Sequence, residues 1–198
     1  MIVATHMLES MIENPMPTRA EITDVSNAIY EQADAIMLSG ETSVGQYPLK
    51  CVEIMDRIAR RTERSGGVDF VSGAEMGSTN ARLVKSATVL AKEIDASALF
   101  VFTRTGGMAK SAAWQRNPDC PVFAFANSIT TRNQLMLLWG IEPFFLELND
   151  ADPMANVESG IEFLKEKGLL SSGDNIVAVT EVVYNGKVVD SIQMEAVS

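Results

Sequence analysis

Apolar and polar positions fall in short blocks along this chain, and the spacing within the blocks changes from one to the next. Residues 35–38, Ala-Ile-Met-Leu, form an apolar run that ends abruptly in the polar cluster Ser39-Gly40-Glu41-Thr42. A run of that length bounded by turn residues predicts a strand buried on both faces, as in parallel α/β sheets. The polar cluster then falls at the strand's C-terminal end, where barrels and open parallel sheets hold their ligands. Ser39 and Glu41 are a hydroxyl and a carboxylate separated by Gly40, which lets backbone approach closely. The plainer reading, a strand followed by a capped turn, stands beside that one.

The blocks around this run alternate between two periods. Residues 1–4 read as a very short strand. Pro15 and Pro17 break any helix between it and Thr18-Arg19-Ala20-Glu21, where Thr18 can cap and Glu21 stands at the capping-box position. Ile22, Val25, Ala28 and Ile29 then recur at helical spacing. After the 35–38 strand, Pro48 marks a second helix start, with Cys51, Ile54, Met55 and Ile58 as its apolar stripe. Arg57, Arg60, Arg61 and Arg64 lie late in that helix, where positive charge suits the dipole. They read as a solvated face or a contact with another part of a larger protein. Strand, helix, strand, helix implies a parallel sheet. Two strands cannot close a barrel, which needs eight, and they leave open edges.

Ser65-Gly66-Gly67 opens a stretch, running to Gly77-Ser78, that reads as the domain boundary. The expected division is 1–65, a linker at 66–79, and a second domain at 80–198. The pattern there predicts a helix over 80–94 with Leu83, Ala87, Leu90, Ala91 and Ile94 on one side. A buried strand follows over 99–102, then a helix running to Trp114, a strand over 122–125 and a helix over 129–138. A strand over 143–146, a helix over 157–167 closed by Gly168, and strands over 176–179 and 187–197 complete the unit. Asn185-Gly186 reads as a tight hairpin turn. This half is long enough to fold by itself. Trp114 and Trp139 are expected in a core or interface, and Met7, Met11, Met37 and Met55 as core filler.

Composition narrows the function classes. The chain has 198 residues, 46% apolar and 21% charged, ordinary for a globular protein. A formal net charge of -10 argues against nucleic acid or an anionic membrane surface as partner, while leaving room for a small anion at a local site. Cys51 and Cys120 are the only cysteines and give no disulfide framework, so a cytoplasmic location is expected. No apolar run approaches a membrane span, and residues 1–5 lack the basic region and long apolar core of a cleavable signal.

Three blocks in the first third carry a resemblance. Ala4-Thr5-His6-Met7-Leu8-Glu9-Ser10-Met11, Pro17-Thr18-Arg19-Ala20-Glu21, and Met37-Leu38-Ser39-Gly40-Glu41-Thr42 with Tyr47-Pro48 resemble pyruvate kinase in order and spacing. The likeness continues to the C-terminus. It implies an α/β fold: the last two strand–helix units of a catalytic barrel at 1–65, then the family's three-layer α/β C-terminal domain. It implies phosphoryl transfer from phosphoenolpyruvate to ADP, with Mg and K, in a homotetramer. By the same resemblance Thr5 lies against the substrate, and Ser39 and Glu41 form the proton route that turns enolpyruvate into pyruvate. A hydroxyl backed by a carboxylate can relay such a proton from water. His6 stands where the family more often has Gln or Asn, and no chemistry is assigned to it. The family's catalytic lysine, metal carboxylates and nucleotide contacts belong to a segment upstream of these blocks. The chain alone is therefore expected to be inactive, since phosphoryl transfer rests on positioning and charge neutralisation.

The second signal is Thr103-Arg104-Thr105-Gly106-Gly107, a Gly- and Thr-rich turn between a strand and a helix. Backbone N–H groups at a helix start bind anions, and Arg104 or Lys110 can add charge. The resemblance makes this a sugar-phosphate effector loop; the plainer reading is an ordinary crossover turn. Members that respond to fructose 1,6-bisphosphate carry Trp, Arg and Gly in a late loop. Here Thr180-Glu181-Val182-Val183-Tyr184 stands there, so a bisphosphate is not expected and a monophosphate is. A stand-alone phosphate-sensing or oligomerisation module is the alternative function. A dinucleotide-binding domain is a weaker third reading, because no Gly-x-Gly-x-x-Gly turn follows a strand.

Overall fold

The computed structural model describes residues 1–68, 77–117, 119–149, 151–184 and 187–198, with the side chains of 181–184 and 187–188 left aside. The chain divides into two units, Met1–Ser72 and Gly73–Ser198.

In the first unit β1 (Ile2–Val3) pairs in parallel with β2 (Ala35–Ile36), in the register Ile2 to Ala35 and Val3 to Ile36. A 3-10 turn over Glu9–Ile12 precedes α1 (Arg19–Tyr30), whose start is the predicted capping box: Thr18 Oγ1 accepts from the Glu21 N–H, and the Glu21 carboxylate accepts from the Thr18 N–H. A single helical turn, α2 (Gly40–Ser43), leads to α3 (Pro48–Glu63), which has Pro at its start. Met7, Leu8, Met11, Val25, Cys51, Ile54 and Met55 form the core.

The 35–38 run is shorter as a strand than its pattern suggests, and it is not buried on both faces. Met37 is 45% exposed, which overturns its reading as core filler. The reason is that β2 has β1 as its one sheet neighbour among the described residues, so side chains that a full sheet would cover stay open. Val44, Leu49 and Val52 stand exposed as well.

The second unit is a five-stranded sheet in the order β5-β4-β3-β6-β7. Its elements are α4 (Thr79–Glu93), β3 (Ala98–Thr103), α5 (Gly107–Trp114), β4 (Val122–Ala126), α6 (Ile129–Leu135), β5 (Ile141–Phe145), α7 (Pro153–Glu166), β6 (Asn175–Tyr184) and β7 (Lys187–Ala196). The first four strands are parallel, and β7 runs antiparallel to β6. Alternate residues of β3 feed two cores. Leu99 and Val101 pack with Val84, Ala87 and Ala91 of α4 and Ala109, Ala112 and Ala113 of α5. Ala98 and Phe100 pack with Val157, Ile161 and Leu164 of α7. Helices therefore cover both faces, which explains why these strands read as unbroken apolar runs.

Several boundaries moved. The 143–146 strand is Ile141–Phe145, the 157–167 helix starts earlier behind the cap Asp152, and the 129–138 helix ends at Leu135. Trp114 is 64% exposed, so it is not core in this chain, while Trp139 is partly buried under the Arg116 guanidinium at 5.2 Å. The Asn185-Gly186 turn and most of the linker lie outside the described residues.

Candidate functional site

The first constellation sits past the C-terminal ends of β1 and β2. Because the two strands are parallel, the residues after Val3 and those after Ile36 leave the sheet on the same side. The backbone after β1 turns sharply: Thr5 has φ 70 and His6 φ 54. A β-branched residue in the left-handed region is an outlier that surrounding structure must hold in place, and such residues gather at functional sites. Thr5 Oγ1 donates to the Ala4 carbonyl at 2.6 Å, and His6 Nδ1 meets Glu9 Oε2 at 2.5 Å. Both Thr5 and His6 face solvent.

Glu41 ties the two strand ends together. It is 3% exposed, and its Oε1 accepts from the Leu8 N–H at 3.0 Å while Oε2 accepts from the Ser39 N–H at 2.8 Å. Desolvation pushes its carboxyl up. The N–H groups of Ser39, of Glu41 itself and of Leu8, with the nearby charge of His6, outweigh that and hold it below the ordinary glutamate range. Beneath it, Cys51 is fully buried and its thiol is aimed at the Glu41 carbonyl at 3.8 Å. Burial first, and then the Glu41 charge, raise the Cys51 pKa. Thr5, Ser39 and Glu41 are thus brought to one edge. Glu41 engages Ser39 through the main chain, and Ser39 is exposed.

Glu21 was legible in the sequence only as a capping residue. It also accepts from the Ser10 N–H at 2.6 Å and from Ser10 Oγ at 2.5 Å. Desolvation raises its pKa, and the bonds from Ser10 and Thr18 outweigh this and lower it. Among the described residues no group of three or more His, Cys, Asp or Glu side chains is placed to hold a metal ion. The two buried glutamates are committed to N–H and O–H donors, which is not the arrangement of a metal ligand. These two glutamates do not fit Mg or K.

The second constellation is in the sheet of the second unit. From β3 the chain steps outward to β4 and β5, and then α7 returns it to β6 on the other side of β3. The strand order reverses there, and such reversals open a crevice at the C-terminal strand ends. A cavity of about 300 Å³ lies at that point. Thr103, Arg104, Thr105 and Gly107 of the predicted loop line one wall. Gly106 has φ 86 and precedes α5, which has no side-chain cap, and its N–H donates to Thr103 Oγ1 at 2.9 Å. Lys110 is not part of the lining.

The rest of the lining was not read from the sequence. Asn80, Asn149, Asn156 and Thr180 supply polar groups, and Phe102, Met108 and Leu148 are among its apolar residues. Asn156 is buried, accepting from the Asn149 N–H at 2.7 Å and donating to the Asn149 carbonyl at 3.1 Å. The signal that could have found this part of the lining is Asp152-Pro153, a helix start that places Asn156 in its first turn.

Two family descriptions match the chain: "Pyruvate kinase, barrel domain" over residues 1–52 and "Pyruvate kinase, alpha/beta domain" over residues 81–190. Pyruvate kinase isozyme A, chloroplastic, of Nicotiana tabacum is 37% identical over 198 residues, which is 96% of this chain and 33% of that protein. Pyruvate kinase of Leishmania mexicana is 36% identical, covering 90% of this chain and 38% of that one. A pyruvate kinase crystal structure from Cryptosporidium parvum superposes with a TM-score of 0.84 at 27% identity, over 100% of this chain and 40% of that one. The chain spans about a third of the length of the curated relatives it matches. No helix among the described residues is long and apolar enough to cross a membrane. With a piece of the barrel in its first unit and the α/β domain in its second, the chain belongs to the pyruvate kinase family.

Proposed function

We propose that this chain supplies the C-terminal part of a pyruvate kinase, in which phosphoenolpyruvate gives its phosphoryl group to ADP and the remaining enolate is protonated to pyruvate. The observation that carries the proposal is the gathering of Thr5, Ser39 and Glu41 at the shared C-terminal edge of two parallel strands. Thr5 borders the substrate. The Ser39 hydroxyl, free to face the cavity of a completed barrel, relays a proton from water to the enolate carbon, and the Glu41 carboxylate holds the Ser39 main chain from behind. Mg and K act in the complete enzyme on residues outside this chain. The complete enzyme is read as a homotetramer in a reducing compartment; the expectation from the sequence is cytoplasmic, and several relatives carry "chloroplastic" in their names.

The test is a lactate dehydrogenase-coupled assay with phosphoenolpyruvate, ADP, Mg and K. The chain alone is expected to be silent, and activity is expected when the missing barrel segment is supplied as a separate polypeptide. Turnover by the isolated chain would overturn the division of labour proposed here.

The cavity of the second unit supports a regulatory role for the same protein. The loop 103–107 takes the phosphate of a sugar monophosphate effector, and the amides of Asn80, Asn149 and Asn156 meet its hydroxyl groups. The five-stranded sheet of the second unit has a core on each face, and this supports the alternative of a stand-alone phosphate-sensing or oligomerisation module without catalysis. Calorimetric titration with a hexose monophosphate distinguishes the two when paired with the activity assay.

A further inference from the structure

Glu21 does more in this fold than close the start of a helix. Its Oε1 accepts from the Ser10 N–H, and its Oε2 takes three donors: Ser10 Oγ at 2.5 Å, the Thr18 N–H at 2.7 Å and Thr18 Oγ1 at 2.9 Å. A capping box needs only the Thr18 half of this arrangement. The Ser10 half reaches 11 residues back in sequence, into the 3-10 turn that follows the left-handed Thr5-His6 corner. Two residues before Ser10, the Leu8 N–H is held by Glu41. Two buried carboxylates from different elements therefore hold Leu8 and Ser10, while Leu8 and Met11, both with no exposed surface, fix the same turn from the core side. The side-chain hydrogen bonds of Thr5 and His6 are local, to Ala4 and Glu9. The strained corner is thus set from its C-terminal side.

We infer that Glu21 is a positioning residue for the catalytic edge: with Glu41 it forms a two-carboxylate clamp on residues 8–10 that keeps Thr5 and His6 in their left-handed conformation. The clamp acts on the free protein, before any substrate binds. It rests on the pyruvate kinase reading only for what the positioned Thr5 does. The titratable groups near it are His6, which faces Glu41, and the neutral Cys51 thiol beneath Glu41; the groups facing Glu21 are the uncharged Ser10 and Thr18.

The experiment is proton–nitrogen NMR of the full chain without ligand, comparing Ser10→Ala, Thr18→Ala and Glu21→Gln. His6 is the chain's single histidine, so its ring signals report the corner unambiguously. A glutamine keeps one acceptor oxygen, so if Glu21→Gln holds the contacts made at Oε2, its NH2 group faces the Ser10 N–H and cannot accept from it. Expected are displaced Thr5 and His6 signals in Ser10→Ala and Glu21→Gln. With Glu21→Gln the Leu8 and Ser10 amides should also exchange with solvent faster, by about tenfold or more, as loss of a charge-assisted bond implies. Thr18→Ala should disturb α1 and leave the corner in place. The inference is overturned if Thr18→Ala moves the corner as much as Ser10→Ala does, or if none of the three variants moves Thr5 and His6. Ser10→Ala removes one hydroxyl and keeps the test valid should Glu21→Gln fail to fold. All signals are read without substrate, so a failure to bind phosphoenolpyruvate bears on the proposed function and leaves this result standing.

Discussion

The carboxylate of Glu41 accepts a hydrogen bond from the backbone N–H of Leu8, 33 positions earlier, at 3.0 Å. Through that bond the loop after the second strand governs the loop after the first. A buried N–H left without its acceptor costs about 1–3 kcal/mol, so Glu41 has a structural role in this unit.

That dependence has a pH signature. Glu41 and Glu21 both have folded pKa values depressed below the ordinary 4.5. A depressed folded value means the stabilisation is present above the unfolded value and is lost as pH falls through the folded one. Unfolding of the first unit, followed by denaturant titration, should be insensitive to these groups at neutral pH and weaken progressively below about 4.5. Glu41→Gln should remove part of that acid sensitivity and lower stability at neutral pH by about 1–3 kcal/mol.

Ser39→Ala should separate the hydroxyl from the scaffold. The Glu41 contact is to the Ser39 main chain and survives the substitution. In the reconstituted enzyme the expected result is a fall in kcat of about a hundredfold with KM for phosphoenolpyruvate little changed, the range of a lost proton relay. An equal rise in KM with kcat intact would assign Ser39 to binding instead.

Among the described residues, Arg104 is the one charged residue lining the cavity. Arg104→Ala should weaken binding of a hexose monophosphate about tenfold or more, the worth of a charge-assisted bond to phosphate. Calorimetry should also find that a second phosphate on the sugar brings no gain. Tighter binding of the bisphosphate would point to a second anion site.

Gly160 on α7 faces two buried rings. A Cβ there would lie 3.1 Å from Phe125 and 3.2 Å from Phe100, both fully buried in the aromatic cluster. Gly160→Ala gains about 1 kcal/mol of helix propensity and loses more by overpacking, so a net loss of about 1–2 kcal/mol is expected from thermal unfolding.

Cys120 is buried beside Asp119. Burial, and then the Asp119 charge, push its thiol up to about 11. Alkylation by iodoacetamide at pH 8 should be slow in the folded chain and fast in denaturant, where the ordinary value of 9.0 returns. Equal rates in both would show that the site is open.

Much of this was legible in the chain alone. Thr18 and Glu21 announced a helix start because a capping box is local chemistry, complete within four residues. The unbroken apolar runs of β3 and β4 announced a sheet covered on both faces, because period and burial are written in adjacent residues. The turn at Gly106 was visible for the same reason: a left-handed residue before an uncapped helix favours glycine. Met37 was misplaced because exposure depends on neighbours that residue type does not specify. Asn156 was missed because an amide in a helix looks like any surface residue until the reversal of strand order brings it into one cavity with Thr103. Residue types and their spacing determined the elements and the family blocks. The tertiary structure alone decided that Glu41 reaches Leu8 and that Glu21 reaches Ser10, because hydrogen bonds between distant segments are set by how parallel strands and their helices pack, and no local pattern encodes that distance.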